Sequence, residues 1–441
     1  MVRALLLGGA IAVAAARPVT WADFPGAIHA RLERAGVDAS SFPGFIEQLT
    51  GTHARRVRDG DLDHLVFYVL QSRHFTALPA IEPALSAKAL GSAGRTPEDA
   101  KARVAAFLKA VDSPDTDLRL SYFRTLVETE WPSRRDREPG VLREYARAMK
   151  FLYEKEFVAQ RGSDPAGAVA SLYRSRGFST DTAVEAGYVV YLGLGMLKAS
   201  EPDRRVQRVL IVGPGLDLAP RTGFVDSAPP ESYQPWAVID ALVGLGLARL
   251  DGLEVVGADI NPRVVGHLER ARSAPPLLHL VSGLDLSTKL TLEADYREYF
   301  AQLGRSIGVT RQQAAEHNGR LTKLVEMQAP AARALSAERV DIVTERLSGA
   351  PFDLVIATNI FPYLDDMELT MALANVAGML APGGVLLHNE PRPGLREIAE
   401  AAGLPLQQSR QAPIATVAGA PPLADTISLH RRVSAEARGQ D

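Results

Sequence analysis

The sequence predicts an α/β protein: an open, mostly parallel sheet with an antiparallel C-terminal edge, preceded by an all-helical region. Three observations predict it. Apolar runs at 209–215, 255–259, 352–359 and 380–387 are each bounded by Gly, Pro or Asp, as strands covered on both faces require. Stretches of helical spacing lie between them, giving strand–helix–strand order. Ahead of them, residues 21–198 show only helical periodicity, for example Phe24, Ile28 and Leu32, or Val104, Phe107, Leu108 and Val111.

The length of 441 residues exceeds one ordinary domain. Residues 23–200 read as the helical part and 201–441 as the sheet domain, with an insertion at 277–338. Within the sheet domain, strands are expected at 208–212 and 254–258, with a helix between them at about 235–250. Asn261 caps a second helix, with Pro262 at its first position. The insertion is expected to hold a strand at 277–281 and helical pieces at 296–303 and 321–327, and to form either a lid or a plain elaboration. Strand pattern resumes at 340–343, then at 353–357 and 385–388. The pieces 414–417 and 426–429 read as two antiparallel edge strands.

Composition excludes several classes. With 49 basic against 52 acidic residues and a net charge of −3, there is no bulk case for nucleic acid. The absence of cysteine removes disulfides, thiolate nucleophiles and thiolate metal sites. No His or acid spacing points to a metal. No segment is apolar for long enough to span a bilayer, and oligomeric state is not legible. Residues 1–22 carry two readings: a secretory signal, with Arg3, a short apolar stretch and small residues at Ala14 and Ala16 or Thr20 and Ala22, or an Ala-rich first helix or misplaced start. The first implies export to a periplasmic or extracellular space, the second a cytoplasmic protein.

In open α/β sheets, ligands sit outside the carboxyl ends of the strands. Gly213-Pro214-Gly215 follows the first strand there, and glycine lets backbone approach a ligand closely. Asp259 ends the second strand, 44 residues after Gly215 (259 − 215), too far for a dinucleotide fingerprint. A carboxylate at that position can accept both hydroxyls of a ribose. Glu345 is placed at the next strand end, where a base edge or ribose could be contacted. Tyr233, Tyr363, His388 and Glu390 are expected at strand ends or in the loop arching over them, and are the candidates for proton transfer. The segment 181–191, just before the linker, is expected closest to the site.

Together these segments resemble class I S-adenosylmethionine-dependent methyltransferases over about residues 206–432. The resemblance rests on Val209-Leu-Ile-Val-Gly-Pro-Gly215, Gly257-Ala-Asp-Ile-Asn-Pro262, the segment 352–365 and Leu380-Ala-Pro-Gly-Gly-Val-Leu-Leu387. The segment 352–365 is most similar to the chemotaxis-receptor methyltransferases, where an Asn and a Tyr follow the strand; here these are Asn359 and Tyr363. The resemblance implies a Rossmann-like sheet and S-adenosylmethionine as cofactor. It places Gly213, Pro214 and Gly215 by the methionine part, Asp259 and Ile260 by the ribose, Glu345 by the adenine and Asn359 near the methyl group. The implied acceptor is a small molecule or a protein side chain. The sequence departs from the family at Ile211, where an acid is usual, and at Asp217, where a third glycine stands. Those departures leave a second reading, a non-catalytic protein of the same fold that binds a ligand or partner.

Overall fold

The computed structural model describes residues 15–113, 117–218, 226, 228–288 and 290–433. The expected signal segment falls largely outside them. Ala16–Pro18 forms a short strand, β1, and from Gly26 to Ser200 the described elements are helical. They are α1 (Gly26–Arg34), α2 (Phe42–Gln71), α3 (Pro83–Ala93), α4 (Glu98–Val111), α5 (Leu118–Glu130), α6 (Arg134–Tyr153), α7 (Pro165–Ser175) and α8 (Val184–Ser200). Proline at or near the first position of α2, α3 and α7, and Asp caps on α5 and α7, fix where these helices begin.

The sheet half runs β2 (Arg208–Val212), α9 (Gln234–Gly244), β3 (Glu254–Asp259), α10 (Pro262–Ser273), β4 (Leu277–Val281), β5 (Leu290–Leu292), α11 (Ala294–Gln302), β6 (Gly308–His317) and β7 (Arg320–Met327). It continues with α12 (Ala329–Ala334), β8 (Leu335–Arg339), β9 (Glu345–Leu347), β10 (Phe352–Ala357), α13 (Asp366–Met379), β11 (Leu380–His388), α14 (Leu395–Ala401), β12 (Leu406–Val417) and β13 (Leu423–Arg431). Eight strands form one sheet in the order β5-β12-β13-β11-β10-β2-β3-β8. The five from β11 to β8 are parallel, and β13 runs antiparallel to both β11 and β12. Strands β4, β7 and β6 make a separate antiparallel sheet, and β9 pairs with β1.

The central strands are apolar on both faces because both faces are covered. Val209 and Ile211 of β2 pack toward α8, α9 and α10, whereas Leu210 and Val212 pack toward α1, α13 and α14. Helix α8 therefore belongs to the layer that covers the sheet. Smaller cores join α2 to α4, α5 and α6, and α2 to α3 and α6.

The structure corrects four expectations. Residues 340–343 are not a strand; the third parallel strand is β8, just before them, and 340–343 cross the strand ends as a turn. Residues 321–327 are strand β7 rather than helix, since Leu321, Lys323, Val325 and Met327 are buried at alternate positions, a period of two. Helix α9 stops at Gly244, because Gly246 takes a left-handed φ of 66°. The C-terminal hairpin is longer than expected and is not the outermost edge, because β5 pairs onto β12.

Residues 15–24 are built into the fold. Val19 is buried and its N–H donates to the Thr344 carbonyl at 3.0 Å. Arg17 pairs with Asp23 at 2.5 Å. Arg346 binds the Asp23 carbonyl and the Asn375 side chain, tying this segment to α13. Among the described residues, no helix is long and apolar enough to cross a membrane.

Candidate active site

The ends of β2, β3 and β10 converge on one cavity, joined by residues that follow β8 and by the segment before α8. At the end of β2 the chain turns through Gly213 and Gly215, with φ of 62° and 74°, values that disfavour a side chain. The Gly213 N–H donates to the Ala258 carbonyl at 2.8 Å, and the Leu216 N–H to the Thr180 carbonyl at 2.8 Å. A Cβ on Gly215 would lie 2.6 Å from that Thr180 oxygen. The glycines thus let the turn pack against residues 179–182 and form the cavity floor.

Asp259 ends β3, buried and facing the cavity. It accepts the Asn261 N–H at 2.8 Å, while the Asn261 side chain caps α10 through the Arg263 N–H at 3.0 Å. Burial pushes the Asp259 carboxyl up to about 6, against the N–H groups of Asn261 and Gly215 that favour its charge. A carboxylate accepts at about four lone-pair sites, so two neutral hydroxyl donors can still be added.

The lining also has an apolar part, with Ile260, Ile342, Val343 and Ile360 among its residues. His53 and Asp341 also line the cavity, and with Glu368 they form a buried charged cluster. His53 of α2 binds Asp341 through Nδ1 at 2.7 Å and Glu368 through Nε2 at 2.9 Å. Burial opposes its charge, but the two carboxylates raise the ring to about 9.

Asn359, after β10, has a φ of 60°. Its N–H donates to Asn389 Oδ1 at 2.8 Å, and its Oδ1 accepts from Asn389 Nδ2 at 2.8 Å. Tyr363 sits on the next turn, its ring edge-on to Tyr173 and Phe178. Asn359, Tyr363, Ser179, Asp181 and Thr182 line both this inner cavity and an outer one of about 880 Å³, which Tyr233, Asp217 and Glu390 also line.

The structure therefore brings together Gly213, Gly215, Asp259, Ile260, Asn359 and Tyr363 at the inner cavity, with Tyr233 and Glu390 at the outer one. Three expected residues are elsewhere. Pro214 is not on the cavity lining and lies beside Gly257. Glu345 is on β9, bound to the Asp341 N–H at 2.8 Å and to Arg339 at 3.1 Å, because the turn 340–343 puts Asp341 at the cavity instead. His388 is buried behind the strand ends, stacked on His430 and near Phe361; burial, with His430 beside it, lowers it to about 3, so it is neutral.

The two departures from the family pattern also find their places. Ile211 is a core residue of β2, on the face that packs toward α8 and α9. Asp217 is off the inner cavity altogether and lines the outer one. His53, Asp341, Tyr173, Ser179 and Thr180 were missed; they stand on helices, a turn and a loop without a periodic signal, whereas Asp181 and Thr182, which open the segment expected closest to the site, line both cavities. Among the described residues, no group of three His, Cys, Asp or Glu is placed to hold a metal.

No protein-family model matches the chain, and no curated protein matches it. Solved structures similar to part of it include the magnesium protoporphyrin IX methyltransferase of Synechocystis with bound S-adenosylmethionine. That likeness has 12% identity, covers 62% of this chain and 99% of that one, and has a TM-score of 0.29. The N-methyltransferase NodS of Bradyrhizobium japonicum with S-adenosylhomocysteine is similar at 15% identity, over 55% of this chain and 86% of that one, TM-score 0.29. A putative sarcosine dimethylglycine methyltransferase of Galdieria sulphuraria is similar at 9% identity, over 55% and 84%, TM-score 0.30. These likenesses cover only part of this chain.

Proposed function

We propose that the chain is an S-adenosylmethionine-dependent methyltransferase acting on a small molecule or a protein side chain. The observation that carries this is Asp259: a buried carboxylate at the end of β3, with lone pairs to spare, between a glycine turn and an apolar slot. That donor set fits a nucleoside with an amino-acid tail. Asp259 would accept the ribose hydroxyls, Ile260, Ile342 and Val343 would enclose the base, and the turn at Gly213 and Gly215 would run beside the amino-acid part. When bound, the cofactor supplies a methyl carbon on a sulfonium.

The protein's share of such a reaction is positioning and exclusion of water. Asn359 is held by paired bonds to Asn389, which Asp425 braces at 2.8 Å, so its amide keeps one orientation at the junction of the cavities. Tyr363, wedged between Tyr173 and Phe178, forms the wall where the two spaces meet. The likeness of this segment to the chemotaxis-receptor group supports a protein side chain as acceptor alongside a small molecule. Export by the N-terminal segment is a separate proposal, compatible with the second, non-catalytic reading.

Isothermal titration with S-adenosylhomocysteine tests the reading. The intact protein is expected to bind it, and Asp259→Ala to lose at least tenfold in affinity while melting as a folded protein. Absence of binding by the intact protein would sink the reading.

A further inference from the structure

We propose that the outer cavity is a subsite for a ligand carrying an ammonium group on an apolar body, and that Asp217 receives the cation. The inference rests on the methyltransferase reading for the ligand's role as methyl acceptor, though not for binding itself.

Asp217 is only 6% exposed, and its Oδ1 has no hydrogen-bond partner among the described residues. Its backbone is fixed, the N–H donating to the Glu231 carbonyl at 2.7 Å. Arg119, the cation that acts on it, donates from Nε to the Leu218 carbonyl and from Nη2 to the Ala228 carbonyl. A buried carboxyl oxygen without a donor is costly unless a ligand supplies one. Burial holds this carboxyl well above the usual range, Asp181 and Glu231 adding to the effect against Arg119, and an ammonium placed beside it would offset that by favouring the carboxylate.

The charge around the cavity has the same sense. Asp181 and Glu390 line it with Asp217. Its two cations are already matched: Arg176 pairs with Asp63 at 3.1 Å and stacks on Phe151, and Lys155 pairs with Glu156 at 3.0 Å. Helix α7 contributes Ala166, Val169 and Ala170 to the lining, apolar surface for the rest of the ligand.

This arrangement also accounts for the acid at a position where the family has glycine. Asp217 lines the outer cavity, on the proposed acceptor side, and not the inner one. In the transfer, the ammonium proton passes to the Asp217 carboxylate and the freed nitrogen lone pair bonds to the methyl carbon. The electron pair of the broken carbon–sulfur bond stays on sulfur.

Titration calorimetry with phenethylamine and with its neutral analogue 2-phenylethanol tests the subsite. Wild type is expected to bind the amine at least tenfold more tightly than the alcohol. Asp217→Asn should abolish that preference, and Glu390→Gln should reduce it less. Equal binding of amine and alcohol by wild type, no saturable amine binding, or a preference retained in Asp217→Asn would each overturn the proposal. A parallel titration with S-adenosylhomocysteine separates the two claims. Nucleoside binding without amine preference defeats only the subsite, and amine preference without nucleoside binding defeats only the methyltransferase reading.

Discussion

Replacing His53 with glutamine should weaken the fold in a pH-dependent way whose sign follows from the structure. The ring stands between two buried carboxylates, Asp341 and Glu368, on residues far apart in the chain. In the folded state burial disfavours the imidazolium, but the carboxylates raise it to about 9, against about 6.5 for an unfolded histidine. Each pH unit of that difference is worth ~1.4 kcal/mol, so the bound proton stabilises the native state by about 3 kcal/mol. Because the folded value is the higher one, this contribution is complete below about pH 6.5 and is lost as pH rises through about 9. Asp341 and Glu368 are held below their ordinary values by His53, against burial, so their share has the opposite limit and fades in acid. Urea unfolding of wild type and His53→Gln across about pH 6 to about pH 10 measures the effect. The gap should be about 3 kcal/mol at the acid end of that range and close at the alkaline end. A gap independent of pH would refute the assignment of a charged clamp.

Two further substitutions probe the site and the small sheet. Gly215→Ala should cost about 2 kcal/mol or more, since its Cβ meets the fixed Thr180 carbonyl and φ is positive, whereas Gly213→Ala, pressing mainly on the flexible end of Ile360, should cost about 1 kcal/mol. Chemical denaturation of the two variants checks the order, and Ile360→Val should recover part of the loss only for Gly213→Ala. Lys323 is buried and its ammonium donates to the Ala301 and Leu303 carbonyls, with burial lowering it to about 8. The unfolded lysine binds its proton more tightly, so wild-type stability should gain a rising component between about pH 8 and about pH 10.5. Lys323→Met should lack that component when the two proteins are compared by urea unfolding. The sign is opposite to that at His53, and the two effects separate only through variant differences.

The central strands were legible in the sequence because each is covered on both faces, so continuous apolar runs mark them without tertiary information. Gly213, Gly215 and Asp259 were legible for a related reason: special residues straight after such runs mark the strand ends. The third strand was not. Residues 335–339 (Leu-Ser-Ala-Glu-Arg) have only two buried positions, Leu335 and Ala337, because β8 is an edge strand. The more apolar Val340, Ile342 and Val343 owe their burial to a turn beneath α2 and α13, which mimics a strand in composition. That slip is why Glu345, rather than Asp341, was expected at the cavity. Strand β7 was misread because Leu321, Leu324 and Val325 fall at helical spacing, while the alternate member Lys323 hides a buried position behind a charged name. His53, Ser179 and Thr180 reach the site only through long-range packing, which local pattern does not encode.

Helix α2 gives the molecule a mechanical property. Over 30 residues, about 45 Å at 1.5 Å per residue, it begins with Phe42 in the core beneath the sheet. It passes the inner cavity at His53 and Val57, and ends with Leu65 and Val69 in the helical core. One unbroken rod thus spans both halves of the chain, and neither half can swing as a separate body without bending it or tearing out His53. Heat should dissolve the two together in a single cooperative transition.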